Sequence, residues 1–341
     1  MEQESKNNQH APVIGISIGD VNGIGPEVII KSLNNSKSTK YFTPVIYGSG
    51  KVISFYRKRI NADHFNFNQI TDLQNIYPRK VNVFNCWEEQ IELTPGESNE
   101  VGGKCSFLAL EKATEHLLEG KIDALVTAPI NKHNIQRDGF NFPGHTEYLT
   151  EKAGSADSLM FLVTEGLRVG VATGHIPLKD VSAKLTKETL ERKLNIMINT
   201  LKKDYGIGKP KVAILGLNPH AGEDGLLGSE ENEVIKPVIE EFKNNGNLVM
   251  GPYPSDGFFG VGQHNKYDGV LAMYHDQGLL PFKTLAFADG VNYTAGLPFV
   301  RTSPDHGTAY AIAGKNQADE TSMRAAIYAA LDITNQRRQS S

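Results

Sequence analysis

Three histidines in this 341-residue chain share one local setting. The apolar run LRVGVAT is followed by Gly174 and His175, KVAILGL by Asn218, Pro219 and His220, and DGVLAMY directly by His275. Each run reads as a short buried strand. The separations of 45 and 55 residues each leave room for a strand–helix–strand crossover. If the strands are parallel, the three imidazoles share one rim, where open α/β sheets bind their ligands. One histidine after a strand is more often structural. The repetition is what points to a metal. Three neutral imidazoles suit zinc or a similar divalent ion and leave a coordination position open. Such an ion can lower the pKa of bound water from ~15.7 to ~7, and an alcohol or a developing enolate gains in the same way.

A second set follows His275. Lys283, Asn292 and Arg301 come at steps of nine residues, and together they could hold an anion. Arg301 offers a planar fork for carboxylate or phosphate, whereas Lys283 is a point charge whose pKa can be lowered for proton transfer. Either cation, taken alone, is as readily a solvated surface residue. Asp276, next to His275, either orients a ligand or simply turns the chain. Asp256, in PYPSDGFF, is a further candidate for catalysis or for the metal's surroundings. In FPGHTEYL, His145 and Thr146 either reach a ligand or serve their own loop.

The elements that must position these residues alternate. Strands are expected over 13–18, 45–48, 81–84, 122–127, 167–173, 211–217 and 268–274. Helices are expected along a face from 107 to 117 that Gly120 stops, over 186–205, and over 229–242 with a kink or late start at Pro237. Asp319 is expected to cap a last helix with Met323, Ala326, Ile327, Ala330 and Leu331 inward. The pattern gives βαβ units and a largely parallel sheet, an α/β fold. Residues 61–90 read as irregular apart from one strand, 252–259 as a loop, and 273–309 as a functional segment without sustained helical period. GDVNGIGPE, with Pro26 and Glu27 opening a helix, is either a tight βα turn or an anion site. It lacks the G-x-G-x-x-G order, and Gly48-Ser49-Gly50-Lys51 lacks the flanking glycines of a P-loop.

Composition narrows the class. A formal charge of −4 argues against nucleic acid as a partner. No apolar run approaches the ~18 residues of a membrane span. Residues 1–11 are expected to be a flexible polar tail without the apolar core of a signal peptide. Cys86 and Cys105 fit no metal-ligand spacing and are expected to be buried free thiols, which implies a cytoplasmic protein.

Assembled, GDVNGIGPE (19–27), VTAPINK (126–132), PGHTEYL (143–149), TGHIPL (173–178), NPHAGE (218–223), MYHDQG (273–278) and GVNYTAGLPFVRTSPDHGTA (290–309) resemble the 4-hydroxythreonine-4-phosphate dehydrogenase (PdxA) family of vitamin B6 synthesis. The resemblance runs through nearly the whole chain in order. It implies two α/β/α domains flanking a cleft, as in the isocitrate and isopropylmalate dehydrogenases: 12–135 with 300–338, and 136–299, which carries most of the site. It implies a homodimer with active sites at the subunit interface. By position, His175, His220 and His275 match metal ligands, His275 coming from the partner subunit, and zinc precedes magnesium, manganese or cobalt as the ion. His145, Thr146, Lys283, Asn292 and Arg301 match substrate binders. The implied reaction is NAD-dependent oxidation of 4-phosphooxy-L-threonine at C3, then loss of CO2 to give 3-amino-2-oxopropyl phosphate. By analogy with the wider fold, a loop holding Thr302, Ser303, Asp305 and Gly307 is expected to approach NAD. The chain reads Pro254-Ser255-Asp256-Gly257 where the family commonly has P-A-D-T, and it also differs over 279–288. Relatives that act on four-carbon sugar-acid phosphates, threonate or erythronate 4-phosphate, supply the alternative substrate. A metal-dependent hydrolase or lyase of phosphorylated small molecules is the alternative chemistry.

Overall fold

The computed structural model describes residues 11–34, 38–136 and 140–340. The tail expected over 1–11 lies, but for Ala11, outside the described residues. The chain forms two compact units, Met1–Pro143 with His306–Asn335, and Gly144–Asp305 with Gln336–Ser341.

The first unit carries strands β1 (Val13–Ser17), β2 (Thr43–Gly48), β3 (Asn68–Ile70), β4 (Asn82–Asn85) and β5 (Ala124–Thr127). They pair in the order β3-β4-β2-β1-β5, all parallel. β2 and β5 are buried along their whole length, as strands covered on both faces must be. β3 lies in the segment expected to be irregular; three residues are too few to show a period. Helix Glu100–Leu118 is capped by Asn99, whose side chain accepts from Gly102 N, and ends before Gly120 at φ +69°. Among the described cysteines Cys105 is buried, Cys86 is only half-buried, and both are free thiols.

GDVNGIGPE resolves as a packed turn. A Cβ at Gly19 would meet Pro129 O at 2.4 Å, and one at Gly25 would meet Ile18 O at 2.4 Å. Asp20 is fully buried and accepts from Asn22 N (2.9 Å), Asn134 Nδ2 (2.7 Å) and Tyr310 OH (2.7 Å). Glu27, also fully buried, accepts from Lys31 Nζ (2.9 Å) and Ala318 N (3.0 Å). Two buried carboxylates make this helix start a poor place for an anion, whatever its dipole offers. At Gly48-Ser49-Gly50-Lys51 the helix start is likewise taken, by Ser49 Oγ on Lys51 N and Asn85 Oδ1 on Gly50 N.

The second unit carries β6 (Leu159–Thr164), β7 (Leu167–Thr173), β8 (Lys211–Leu215), β9 (Leu248–Tyr253), β10 (Gly269–Tyr274), β11 (Val291–Ala295) and β12 (Val300–Pro304). The order is β12-β11-β6-β7-β10-β8-β9. β7, β10, β8 and β9 run parallel, while β12, β11, β6 and β7 pair antiparallel. The sheet is therefore parallel on the side of the three histidines and antiparallel on the side of Asn292 and Arg301. Helix Lys187–Lys203 is capped by Thr186 and buries Leu190, Leu194, Met197, Ile198 and Leu201. Pro237 falls in the first turn of helix Lys236–Asn244, and a π-turn over Glu231–Ile235 precedes it.

Two expected loops are helical. Ser255–Gly260 is a short helix, and His275–Ala286 is a twelve-residue helix that holds Pro281 inside. The latter buries Leu279, Phe282 and Ala286 against Val169, Val171, Val270 and Ala272. Gly278 permits the approach: a Cβ there would already stand 3.0 Å from Ala272 Cβ and Val169 Cγ1.

Candidate active site

β7, β10 and β8 are adjacent and parallel, so their carboxyl ends form one rim carrying all three histidines. Tyr274 pairs with Thr173, which sets His275 and His175 side by side. Their ring centroids are 5.5 Å apart at an interplanar angle of 43°. Two imidazoles on one tetrahedral zinc, with Zn–N of about 2.0–2.1 Å, place their ring centres roughly 5 Å apart. The spacing suits an ion held by both rings of one chain, the arrangement that competes with sharing His275 across a dimer. His275 Nδ1 lies 2.7 Å from Asp276 Oδ1. A carboxylate can only accept, so Nδ1 is the donor, which leaves Nε2 as the ring nitrogen available to a metal. His175 Nδ1 lies 3.7 Å from Glu147 Oε1.

His220 is held differently. It begins a run of left-handed residues, with φ of 53° at His220, 51° at Ala221, 78° at Gly222, 41° at Glu223 and 53° at Asp224. Such a run costs L-residues roughly 1–2 kcal/mol each, so its surroundings must impose it. Among the described residues the set of three with ligand atoms within 4.8 Å of one another is Glu115, His116 and Glu119, not the three histidines. In that set Lys112 and Lys121 pair with the two glutamates, and His116 Nδ1 is 2.9 Å from Tyr47 OH. It reads as a surface ion-pair cluster beside a buried histidine.

The nine-residue steps turn out to span a helix and a strand pair. Asn292 on β11 stands opposite Ser303 on β12, and Arg301 Nη1 donates to Thr294 Oγ1 at 3.0 Å. Alternation along the strands puts Asn292, Thr294, Arg301 and Ser303 on one face of the sheet. Arg301 is 2% exposed. Burial pushes its guanidinium down to about 10, against the opposing pull of Glu147, so it stays charged at neutral pH. Asn292 Oδ1 is buried with no hydrogen-bond partner. An acceptor and a buried cation thus share one wall. Lys283, near the end of helix His275–Ala286, reaches Asp305 Oδ1 at 3.1 Å. His145 and Thr146 open helix His145–Lys152, whose first turn also holds Glu147.

One expectation needs correction. Thr302 and Ser303 lie in strand β12, Thr302 fully buried and Ser303 nearly so, and the loop begins only at Asp305. The antiparallel pairing with β11 is what draws them in. Asp305 is engaged by Lys283, while Gly307 is exposed. Asp256 is exposed and helical, one residue into Ser255–Gly260.

Three further residues shape the rim. Gln277 is 8% exposed; its Oε1 accepts from Met273 N at 2.7 Å and its Nε2 donates to Gly216 O at 2.6 Å, tying β10 to β8. Glu231 and Glu147, on neighbouring elements, approach the loop of His220 and the ring of His175. Gln277 sits two places after His275 and could have been suspected. The glutamates carry no local signal.

The chain is similar to known proteins along most of its length. The family model described as pyridoxal phosphate biosynthetic protein PdxA matches residues 40–330. A 4-hydroxythreonine-4-phosphate dehydrogenase of Bacteroides thetaiotaomicron is 49% identical over 95% of this chain and 89% of its own. A protein of Oceanobacillus iheyensis named for D-threonate 4-phosphate dehydrogenase activity is 39% identical over 94% of this chain and 98% of its own. The crystal structure of 4-hydroxythreonine-4-phosphate dehydrogenase from Klebsiella pneumoniae superposes with a TM-score of 0.82 at 37% identity, covering 96% of this chain and 99% of that one. The fold is the isocitrate dehydrogenase-like one. A strand rim carrying three histidines, a buried arginine on the same sheet face as an unpaired amide oxygen, and a family match over most of the chain lead to one assignment: the chain belongs to the PdxA family and is an oxidoreductase.

Proposed function

We propose that this protein oxidises 4-phosphooxy-L-threonine at C3 with NAD, and that the β-keto acid then loses CO2 to give 3-amino-2-oxopropyl phosphate, a step toward pyridoxal 5'-phosphate. One observation carries the reading: Glu147 lies 3.7 Å from His175 and also acts electrostatically on buried Arg301, so the imidazoles and the guanidinium share a neighbourhood. His175, His220 and His275 would hold a divalent ion, zinc foremost, which supplies positive charge to polarise a hydroxyl or carbonyl oxygen. NAD, when bound, supplies the hydride acceptor, with exposed Gly307 and half-buried Asp305 proposed near it. Arg301 and Lys283 bind the negative ends of the substrate, with His145, Thr146 and Asn292 orienting it. Lys283 moves the proton at the C3 hydroxyl, and Asp256 is the second candidate for that role.

A panel of phosphorylated hydroxy acids with NAD and metal, followed by NADH absorbance at ~340 nm, tests this. We expect 4-phosphooxy-L-threonine to turn over fastest. Faster turnover of D-threonate or erythronate 4-phosphate would move the substrate to the alternative that the Oceanobacillus relative's name suggests. Absence of NADH with every compound would leave the hydrolase or lyase chemistry.

We also propose a homodimer in which His275 completes the partner's metal set. Beside that histidine, helix His275–Ala286 exposes Leu280 (66%) and Leu285 (55%), and Phe287 follows at 83%. Apolar groups so placed suit an interface. Mixing inactive His175→Ala and His275→Ala subunits decides the matter. Sharing across a two-fold interface gives each mixed dimer one intact site and restores about a quarter of wild-type activity. If the set lies within one subunit, mixing restores none.

A further inference from the structure

We propose that Glu231 is the positioning residue for His220, acting through Asn218 to hold the left-handed loop that presents the imidazole. The inference rests on the proposed role of His220 as a metal ligand. Residues 220–224 keep φ between 41° and 78°, a conformation that side chains of L-residues rarely adopt for even one residue. The loop's own hydrogen bonds are few: Ala221 N to Asn218 O, Leu226 N to Glu223 O and Leu227 N to Gly222 O, each 3.1 Å. The stronger hold comes from a buried carboxylate fourteen residues beyond the end of β8's apolar run. Glu231, 1% exposed, accepts from Leu217 N and Asn218 N on Oε1, both at 2.7 Å, and from Asn218 Nδ2 on Oε2 at 2.9 Å.

The backbone is wrapped tightly around this group. A Cβ at Gly222 would sit 2.6 Å from Glu231 Oε2, and one at Gly216 would sit 3.1 Å from Oε1. Asn218 is fixed from its other side too, since Nδ2 donates to Glu230 Oε2 at 2.8 Å while Glu230 Oε1 accepts from Ser182 Oγ at 2.5 Å. Asn218 is two residues before His220, so its orientation sets where the left-handed run starts. Only a carboxylate can accept all three N–H groups. In Glu231→Gln the new amide would set a donor against Asn218 Nδ2. Turning the Asn218 amide over would bring its oxygen against the carboxylate of Glu230. Neither arrangement keeps the loop as it is.

The test uses Co²⁺ as the probe on full-length protein stripped with chelator, reading affinity and the visible ligand-field spectrum. Glu231→Gln is expected to weaken Co²⁺ about 10–100-fold, as loss of a ligand's support typically does, and to alter the spectrum. His220→Ala is expected to weaken it at least as much, and adding Glu231→Gln to His220→Ala to cost nothing further. Glu230→Gln/Glu231→Gln lets the Asn218 amide invert and accept from both new amides, and is expected to regain part of the affinity. If Glu231→Gln fails to fold, Glu230→Gln alone carries the same cycle, with a smaller loss expected. Unchanged Co²⁺ affinity in Glu231→Gln, or an additive loss in the double variant with His220→Ala, overturns the inference while leaving His220 a ligand. Unchanged affinity in His220→Ala overturns the metal reading itself.

Discussion

At the scale of single residues, Arg301 explains most about the pocket. A guanidinium buried to 2% exposure is expensive to keep; Arg301 donates to Thr294 Oγ1 and feels the pull of Glu147. Its proposed role, meeting an anionic end of the substrate, would use that charge. Arg301→Ala should therefore lower kcat/KM on the order of 10- to 100-fold, from about 1.5–3 kcal/mol for hydrogen bonds to a charged group. The loss should fall chiefly on KM, as steady-state kinetics will show. Arg301→Lys keeps the charge and loses the fork, and should recover only part of it. The sequence offers Arg301 as a candidate fork for an anion, with a solvated surface residue as the alternative. Its burial came from the β11–β12 pairing, which no local pattern encodes.

At the scale of elements, helix His275–Ala286 shows why one assignment failed. Leu279, Phe282 and Ala286 do keep a helical spacing. Leu280, Pro281, Leu285 and Phe287 fill the opposite face with apolar residues and hide that period. Leu280, Leu285 and Phe287 are exposed, on the face proposed for a dimer, so exposed apolar residues obscured the period of the helix. The helix rests on β7 and β10 through Gly278. Gly278→Ala would press a methyl group to 3.0–3.1 Å of Ala272, Val169 and Val171 and should destabilise the protein by about 1–3 kcal/mol, read as a lower Tm or denaturant midpoint. Activity should fall as well, because His275 opens that helix.

At the scale of the whole molecule, stability should depend on pH through buried histidines. Burial pushes His116 below its ordinary value, with Lys121 adding to the effect, and burial alone does the same to His264. Tyr47 is buried and its pKa is raised, so it stays protonated and donates to Nδ1 of a neutral His116. The unfolded chain therefore takes up protons first as pH falls. Stability from these rings is complete above about pH 6.5 and drains as pH falls below it. Melting curves between pH 7.5 and 5 should show a falling Tm, and His116→Gln should flatten that slope. No helix among the described residues is long and apolar enough to cross a membrane.

By itself the sequence determined the strand runs ending at three histidines, the helix beginning at about Thr186, and the motifs that identify the family. These are local facts: period, cap and residue type are carried by neighbours in the chain. Tertiary structure alone decided that β7, β10 and β8 would be adjacent, that Arg301 would face Asn292's side of the sheet, and that GDVNGIGPE would be filled by its own carboxylates. It also brought Glu231 under Asn218 and Gln277 against Gly216. Those contacts join residues whose spacing follows no repeat, so only the folded path of the backbone could select them.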